Sequence, residues 1–412
     1  MKFVVLGGAG AMGQVIVRDL AHTTPSDAQI VIADLNPSKA EEVRKSVQSG
    51  GPKISTAAAN LKDPESLKKA FGGASVVVNS TPYYFNVQVM EAALEAGCHY
   101  LDLGGLFHIT RKQLELNEKF KQKNLLACLG MGAAPGITNI MAAHAAHELD
   151  AVETVDIAVA GVDFVQCNHP CLPPYALDTI LDEYALEPWV FEAGKFLAKP
   201  PMSGEQWLDL PEPVGRMRAF LTLHSEVATI PLNYQHKGIK NCTYRLGLPA
   251  QFHERMKFLV DLGFAEKDPL SVDGAQVNPR AILAAIIGKH PMPTQDPDDA
   301  EVIRVDVLGT KHGRPASVRM ETTVLSNPEW KVSCGALDTG VPPSIVAQMI
   351  GLGVINDRGV LAPEVCVPPE LFFTELAKRS IIMRRITDET LTQSTGGNAR
   401  KSAGSGLAAN AR

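Results

Sequence analysis

Short apolar runs separated by amphipathic stretches organise the first 130 residues. Lys2–Leu6 leads into glycines and then a helical pattern near Met12–His22, and Gln29–Ala33 ends in Asp34. Asn36-Pro-Ser-Lys39 marks a turn into a second helix with Ser38 as its N-cap. Lys53–Leu61 is a weaker strand, and a helix opens at Asp63. Ser75–Asn79, His99–Leu103 and Leu125–Leu129 are further strands, with a helix over Val87–Ala96. Strands alternating with helices predict βαβ units and an α/β fold built on a doubly wound parallel sheet.

Past Pro135-Gly136 the pattern changes. A helix over Ile137–His147 precedes a strand over Val152–Ala160, and a Pro-rich stretch from His169 to Pro213 reads as irregular. Strands return at Ala219–Leu223, Lys240–Leu246 and Val302–Leu308; Lys311-His-Gly-Arg314 fits a hairpin turn into Ser317–Leu325. These runs predict a second, mixed α+β domain. The division expected is 1–138 for the parallel domain, 139–337 for the mixed one, and 338–387 for a segment that returns to the first. Residues 388–412, rich in Gly, Ala, Ser and Asn, are expected to be disordered.

Composition narrows the function. With 412 residues, 45% hydrophobic and 20% charged, the chain has material for sizeable cores. A net charge of −6 offers no basic excess for nucleic acid. No run is long and apolar enough to span a membrane. Seven scattered cysteines fit a reducing compartment, so a cytoplasmic location is expected. Cys167-Asn-His-Pro-Cys171 lacks the second ligand pair that zinc requires, and no metal is expected.

The chemistry begins at Gly8-Ala9-Gly10-Ala11-Met12-Gly13. The pattern follows a strand and opens a helix: Gly8 serves the tight turn, Gly10 lets pyrophosphate approach the backbone, and Gly13 permits close helix–strand packing. The helix N-terminus, at Ala11 and Met12, offers free N–H groups to the anion. Asp34 ends the second strand, about 20 residues on, where a carboxylate holds the adenosine ribose hydroxyls. Leu35 and Asn36 supply no cation for a 2′-phosphate, which predicts NAD rather than NADP. Asn60 and Leu61 close the third strand beside the adenine position. Asn79, Thr81 and Pro82 close the fourth, as cofactor contacts or as ordinary turn residues.

Tyr100 and Asp102 end the fifth strand, ahead of Gly104-Gly105; Asp102 serves either catalysis or the capping of the next helix. From here the resemblance to a known family is specific. VVNSTPYYFNVQVMEAALEAGCHYLDLGG, GMGAAPGITN and DTGVPPSIVAQMIGLGVINDRGVLAPE resemble the saccharopine dehydrogenase-like family, and LHSEVATIP and FHERMKFLVDLGF look most like its lysine 6-dehydrogenase branch. The resemblance implies a Rossmann domain closed by C-terminal residues, an inserted substrate domain, a homodimer or higher homo-oligomer, and hydride transfer at a carbon bearing nitrogen.

A small amino acid or amine is then the expected partner, and the site needs a base and a carboxylate anchor. Base candidates are Asp102 and the pair His224 and Glu226, which share a face if Leu223–Val227 is extended; a surface hydrogen-bonded pair is the other reading. Arg245, with Tyr244 beside it, is the anchor, with Arg216 and Lys240 in reserve. Alternation lets only one of Tyr244 and Arg245 point inward. Asp338 lines the cleft or caps the returning helix, and Asp178 and Glu183 are weaker contacts for an amine. The leading expectation is NAD-dependent oxidation of L-lysine at its ε-carbon. The alternatives are a saccharopine- or carboxynorspermidine-type dehydrogenase acting on a secondary amine, which needs more cations near the cleft, and a non-catalytic NAD-binding regulator.

Overall fold

The computed structural model describes residues 1–47, 50–166 and 169–389. Its first unit contains β1 (Lys2–Leu6), α1 (Ala11–Thr23), β2 (Gln29–Asp34), α2 (Pro37–Val47), β3 (Lys53–Ala58) and α3 (Pro64–Phe71). β4 (Val76–Asn79), α4 (Asn86–Ala96), β5 (His99–Asp102), α5 (Leu106–Leu114), α6 (Asn117–Gln122) and β6 (Leu126–Cys128) complete it. β4 reads VVVN and is buried throughout, as a central strand covered on both faces must be. Asp63 caps α3, accepting the Glu65 N–H at 3.1 Å, and Pro64 occupies the first helical position.

The second unit contains α7 (Ile137–His147), β7 (Ala151–Asp163), α8 (Leu177–Ala185), β8 (Trp189–Glu192), β9 (Lys195–Ala198), β10 (Gln206–Asp209) and β11 (Arg216–Leu221). α9 (Glu226–Asn233) and β12 (Asn241–Gly247) follow, then an excursion of α10 (Ala250–Asp261), β13 (Leu270–Val272), β14 (Ala275–Val277) and α11 (Pro279–Ile287). β15 (Asp299–Lys311) and β16 (Arg314–Leu325) form a long hairpin. His312 and Gly313 turn it with φ of 53° and 72°, the paired positive values that match strand twist. The stretch from His169 to Pro213, expected to be irregular, holds α8 and three short strands; its prolines fall between the elements.

The chain then crosses back through α12 (Cys334–Gly351), β17 (Gly359–Leu361), α13 (Pro363–Cys366) and α14 (Pro369–Ala377), and ends its described part in β18 (Arg384–Glu389). The first sheet runs β17-β6-β5-β4-β1-β2-β3, and all its pairings are parallel. The second runs β10-β11-β12-β7-β15-β16-β18, with β8 and β9 attached at β12. Only β12 and β7 pair in parallel there, so that sheet is mixed.

The fold is therefore α/β, a doubly wound parallel sheet beside a mixed sheet with its own helices. β18 continues through Asp388 and Glu389, where a disordered tail was expected to begin; residues 390–412 lie outside the described ones. Two contacts fix the crossing segment to α1. Val15 lies where a Cβ on Gly340 would stand, so α12 and α1 touch backbone to side chain. Asp19 of α1, 1% exposed, accepts two hydrogen bonds from Arg379, at 2.7 and 2.9 Å, and one from Ser344 at 2.6 Å.

Candidate active site

The glycine loop leaves β1 on the edge where the parallel strands end. A Cβ on Gly13 would overlap the Gly7 carbonyl oxygen, and one on Gly8 would stand 2.8 Å from the Ile32 side chain. Gly10 caps α1 without a side-chain hydrogen bond, so its first-turn N–H groups have no capping side chain. Such a cradle fits a pyrophosphate. Asp34 borders it: one oxygen accepts the Ala9 N–H at 3.0 Å and the other the Asn36 N–H at 2.9 Å, while Leu35 is 72% exposed. Thr81 lies against Gly7, and Pro82 is exposed beside it. Asn60 and Leu61 follow β3 on the same edge, Asn60 turning its Oδ1 back to the Lys62 N–H. Asn79 is different. It is buried, donating to Asn86 at 2.9 Å and to Tyr100 at 3.1 Å while accepting from Thr81, so it braces the strand ends and has no group free for a cofactor.

The base candidates separate. Asp102 is 1% exposed and accepts four hydrogen bonds: Gly104 N–H at 2.9 Å, Gly130 N–H at 2.8 Å, Tyr100 hydroxyl at 2.9 Å and Gln113 amide at 2.6 Å. Burial raises its carboxyl above the ordinary range, and these donors oppose the rise. It joins β5, α5 and the loop after β6, its oxygens taken up by these four donors, and the Tyr100 hydroxyl is taken up by Asp102 and Asn79. Pro135 closes this knot from outside. It sits where Cβ atoms on Gly104 and Gly130 would come within 2.8 and 2.7 Å, and both residues have positive φ, 125° and 74°.

His224 and Glu226 do come together, with His224 Nδ1 2.5 Å from Glu226 Oε2. Their segment is not extended: Glu226 opens α9, and the pair is buried. The Thr138 hydroxyl holds the other Glu226 oxygen at 2.7 Å. His224 Nε2 faces Glu183 Oε1 across 4.0 Å, and the Tyr175 hydroxyl donates to the second Glu183 oxygen. The result is a row, Thr138–Glu226–His224–Glu183–Tyr175, hydrogen-bonded throughout except for the 4.0 Å ionic gap between His224 and Glu183. Tyr244 stacks flat on the imidazole, centroids 3.7 Å apart. Burial alone would depress His224, but the carboxylates of Glu226 and Glu183 outweigh it and the imidazole is raised. Burial pushes Glu183 up to about 7, with His224 and Tyr175 pulling the other way.

Between His224 and Glu226, Ser225 docks on the parallel unit. Its Oγ accepts the Gly105 N–H at 3.3 Å and the Thr110 hydroxyl at 3.2 Å. The imidazole is thereby held at the C-terminal end of β5, on the edge that carries the glycine cradle.

The anchor assignment does not hold. Tyr244 is the inward residue, and Arg245 lies on the other face of β12, bonded to Thr243 Oγ1 at 2.7 Å and to the Gly204 carbonyl at 3.3 Å. Arg216 and Lys240 pair with surface acids, Asp209 and Glu153. The cations that do gather at the junction are Arg280 and Lys267 of the excursion. Both reach Asp182, at 2.7 and 3.1 Å, and the Tyr83 hydroxyl of the parallel unit meets the same carboxylate at 2.6 Å. Asp178, on the same helix, is largely exposed, 3.8 Å from Arg280. Ser333, not Asp338, caps α12, and Asp338 is buried in its second turn. Cys167 lies outside the described residues, whereas His169 and Cys171 are buried. Among the described residues, no three His, Cys, Asp or Glu gather to hold a metal. No described helix is long and apolar enough to cross a membrane.

A glycine cradle on a parallel sheet, facing a buried carboxylate–imidazole chain on a second domain, defines a two-domain dinucleotide-dependent oxidoreductase. The chain belongs to the saccharopine dehydrogenase family: residues 3–128 match its NADP binding domain and residues 132–382 its C-terminal domain. It is an oxidoreductase with an NAD(P)-binding domain. Among curated relatives, the carboxynorspermidine synthase of Vibrio cholerae is 25% identical over 389 residues, covering 88% of this chain and 91% of that one. The carboxyaminopropylagmatine dehydrogenase of Synechocystis is 23% identical over 396 residues, covering 92% and 96%. Among solved structures, the saccharopine dehydrogenase (L-Glu forming) of Saccharomyces cerevisiae superposes with a TM-score of 0.73 at 16% identity, over 94% of this chain and 99% of the other. The homospermidine synthase of Legionella pneumophila, solved in complex with NAD, gives 0.64 at 12% identity, over 98% and 95%.

Proposed function

We propose that this chain forms a secondary amine by reductive condensation of a di- or polyamine with an amino-acid semialdehyde, in the manner of a carboxynorspermidine-type dehydrogenase. The observation that carries the reading is the Glu226–His224–Glu183 chain, held by Ser225 at the edge where the dinucleotide cradle opens. The carboxynorspermidine and carboxyaminopropylagmatine relatives favour this reading over oxidation of lysine at its ε-carbon. Asp34, with no cation at Leu35 or Asn36, favours NAD(H) over NADP(H).

When bound, the dinucleotide supplies hydride to the carbon of the C=N bond; the chain's own groups handle the protons. An alkyl amine with a pKa of about 10.4 is almost wholly protonated at neutral pH and cannot attack a carbonyl until it loses that proton. Glu183, titrating near 7, accepts it, and His224 beside it shares the charge. That proton, and a second one that the nitrogen gives up as the C=N bond forms, both pass to the former carbonyl oxygen, which leaves as water. Glu226, fixed by Thr138, holds the Nδ1 side of the ring, so Nε2 faces Glu183. Tyr175 fixes the far oxygen of Glu183.

The test is a substrate panel followed by nicotinamide absorbance. NADH should be consumed when an amino-acid semialdehyde is mixed with a short diamine or agmatine, and the product should carry one new C–N bond by mass. Reduction of NAD⁺ by L-lysine alone with release of ammonia, and no reaction with the condensation pairs, would return the assignment to lysine oxidation.

A further inference from the structure

The returning helix brings together two carboxyls that the proton chain does not use. Asp338, in α12, is wholly buried, and neither of its oxygens accepts a hydrogen bond from any donor among the described residues. Its neighbour is Glu301 of β15, so the two can bond each other only by sharing a proton. The remaining charge acting on Glu301 is also acidic, from Asp299, whose Oδ1 already accepts the Cys334 N–H at 2.8 Å. Burial raises both carboxyls, Glu301 to about 7; in its ionised form a pair without donors is costly unless a cation completes it.

The place is specific. Glu301 pairs in register with Gly161, and Tyr244 with Ile157 on the same strand β7, so Glu301 and Tyr244 lie on one face of the sheet. The Tyr244 ring, stacked on His224, lies in the field of four carboxyls: Glu226, Glu183, Glu301 and Asp338. On the other side of the pair, Thr339 abuts Gly132, and Gly340 abuts Val15 of the helix that opens at the dinucleotide cradle. The two acidic groups thus act on the same ring that His224 stacks against.

We propose that Asp338 and Glu301 form a binding subsite for a protonated aliphatic amine, the end of a diamine remote from the reacting nitrogen. An ammonium group brings three N–H donors and a full positive charge, matching the oxygens that have neither. The inference rests on the amine chemistry proposed above and adds to it a reason for preferring a diamine to a monoamine.

Calorimetric titration of the NAD⁺-saturated full chain tests the subsite without turnover, using 1,3-diaminopropane, 1,4-diaminobutane and n-butylamine as probes. The wild-type chain should bind a diamine at least about tenfold tighter than butylamine, the effect of one charge-assisted hydrogen bond. In D338N, which keeps the side-chain shape, and independently in E301Q, that ratio should fall to about one. A wild-type preference that persists in both variants overturns the subsite and leaves the condensation reading standing. Variants that lose NAD⁺ affinity but keep the diamine preference assign the pair to the dinucleotide and overturn it too. A wild-type chain that binds none of the three amines overturns the amine reading itself, and the subsite with it.

Discussion

Replacing Glu183 by glutamine removes one charge from the proton chain and leaves its shape. Burial raises this carboxyl from 4.5 to about 7. At about 1.4 kcal/mol per unit, the displacement corresponds to about 3 kcal/mol. The folded chain holds the Glu183 proton more tightly than the unfolded chain does. Its favourable contribution is therefore complete below pH 4.5 and is lost as the pH rises to about 7. Above that, the ionised carboxylate weakens the fold. Glu183→Gln carries no such charge, so its stability relative to wild type should rise by about 3 kcal/mol between about pH 4.5 and pH 8. Urea denaturation of both proteins at the two pH values measures the change. Activity should move the other way. Loss of a positioned acid–base group costs about 10²- to 10⁴-fold, and the limb of the kcat/KM profile near pH 7 should vanish with it. A limb near 7 that survives in the variant, or a stability gap that does not change with pH, would refute the assignment of the proton to Glu183.

Three further variants probe other parts. Asp34→Ser with Leu35→Arg should shift use from NAD toward NADP by about 10- to 150-fold in the ratio of kcat/KM, the worth of one charge-assisted contact; an unchanged ratio removes Asp34 from ribose recognition. Asp19→Ala removes the bidentate partner of the buried Arg379 and the acceptor of Ser344, leaving Arg379 only the partly exposed Glu375, and should cost about 1–3 kcal/mol in urea denaturation; a change below about 0.5 kcal/mol would show that the Asp19 pair contributes little. Arg245→Ala should leave KM for both substrates within about twofold, since its side chain faces away from His224; a large rise in KM would place it back in the cleft.

The parts of this protein legible in its sequence are those whose determinants lie close together in the chain. The cradle from Gly8 to Gly13 was readable because strand, turn and helix follow within a dozen residues, and Asp34 answers from the next strand. His224 and Glu226 were found by their spacing, for a reason the structure replaces: they meet at the entrance to α9, because Ser225 is pinned to Gly105 and Thr110. Asp102 read as an available acid because its donors, Gln113 and Gly130, arrive from later elements. Alternation said that one of Tyr244 and Arg245 points inward but not which; the His224 ring decides it, and that ring comes from another segment. Glu183 had only a minor place because its environment is tertiary: burial, Tyr175 and an imidazole forty residues on. Arg280 and Lys267 carried no local signal, since their partner Asp182 is on α8.

The interlacing of the two sheets bears on how such a protein can be recombined. The edge strand β17, from residues 359–361, completes the parallel sheet beside β6, whereas β18, from residues 384–389, pairs with β16 in the mixed one. A chimera that exchanges a continuous N-terminal piece with a relative would therefore receive a nucleotide-binding sheet missing its outermost strand and the helix that packs on α1. Exchange of cofactor preference between members of this family should succeed when two separated stretches travel together, roughly the first 130 residues with the α12–α14 region. It should fail when a single crossover is placed at the boundary that the sequence motifs mark.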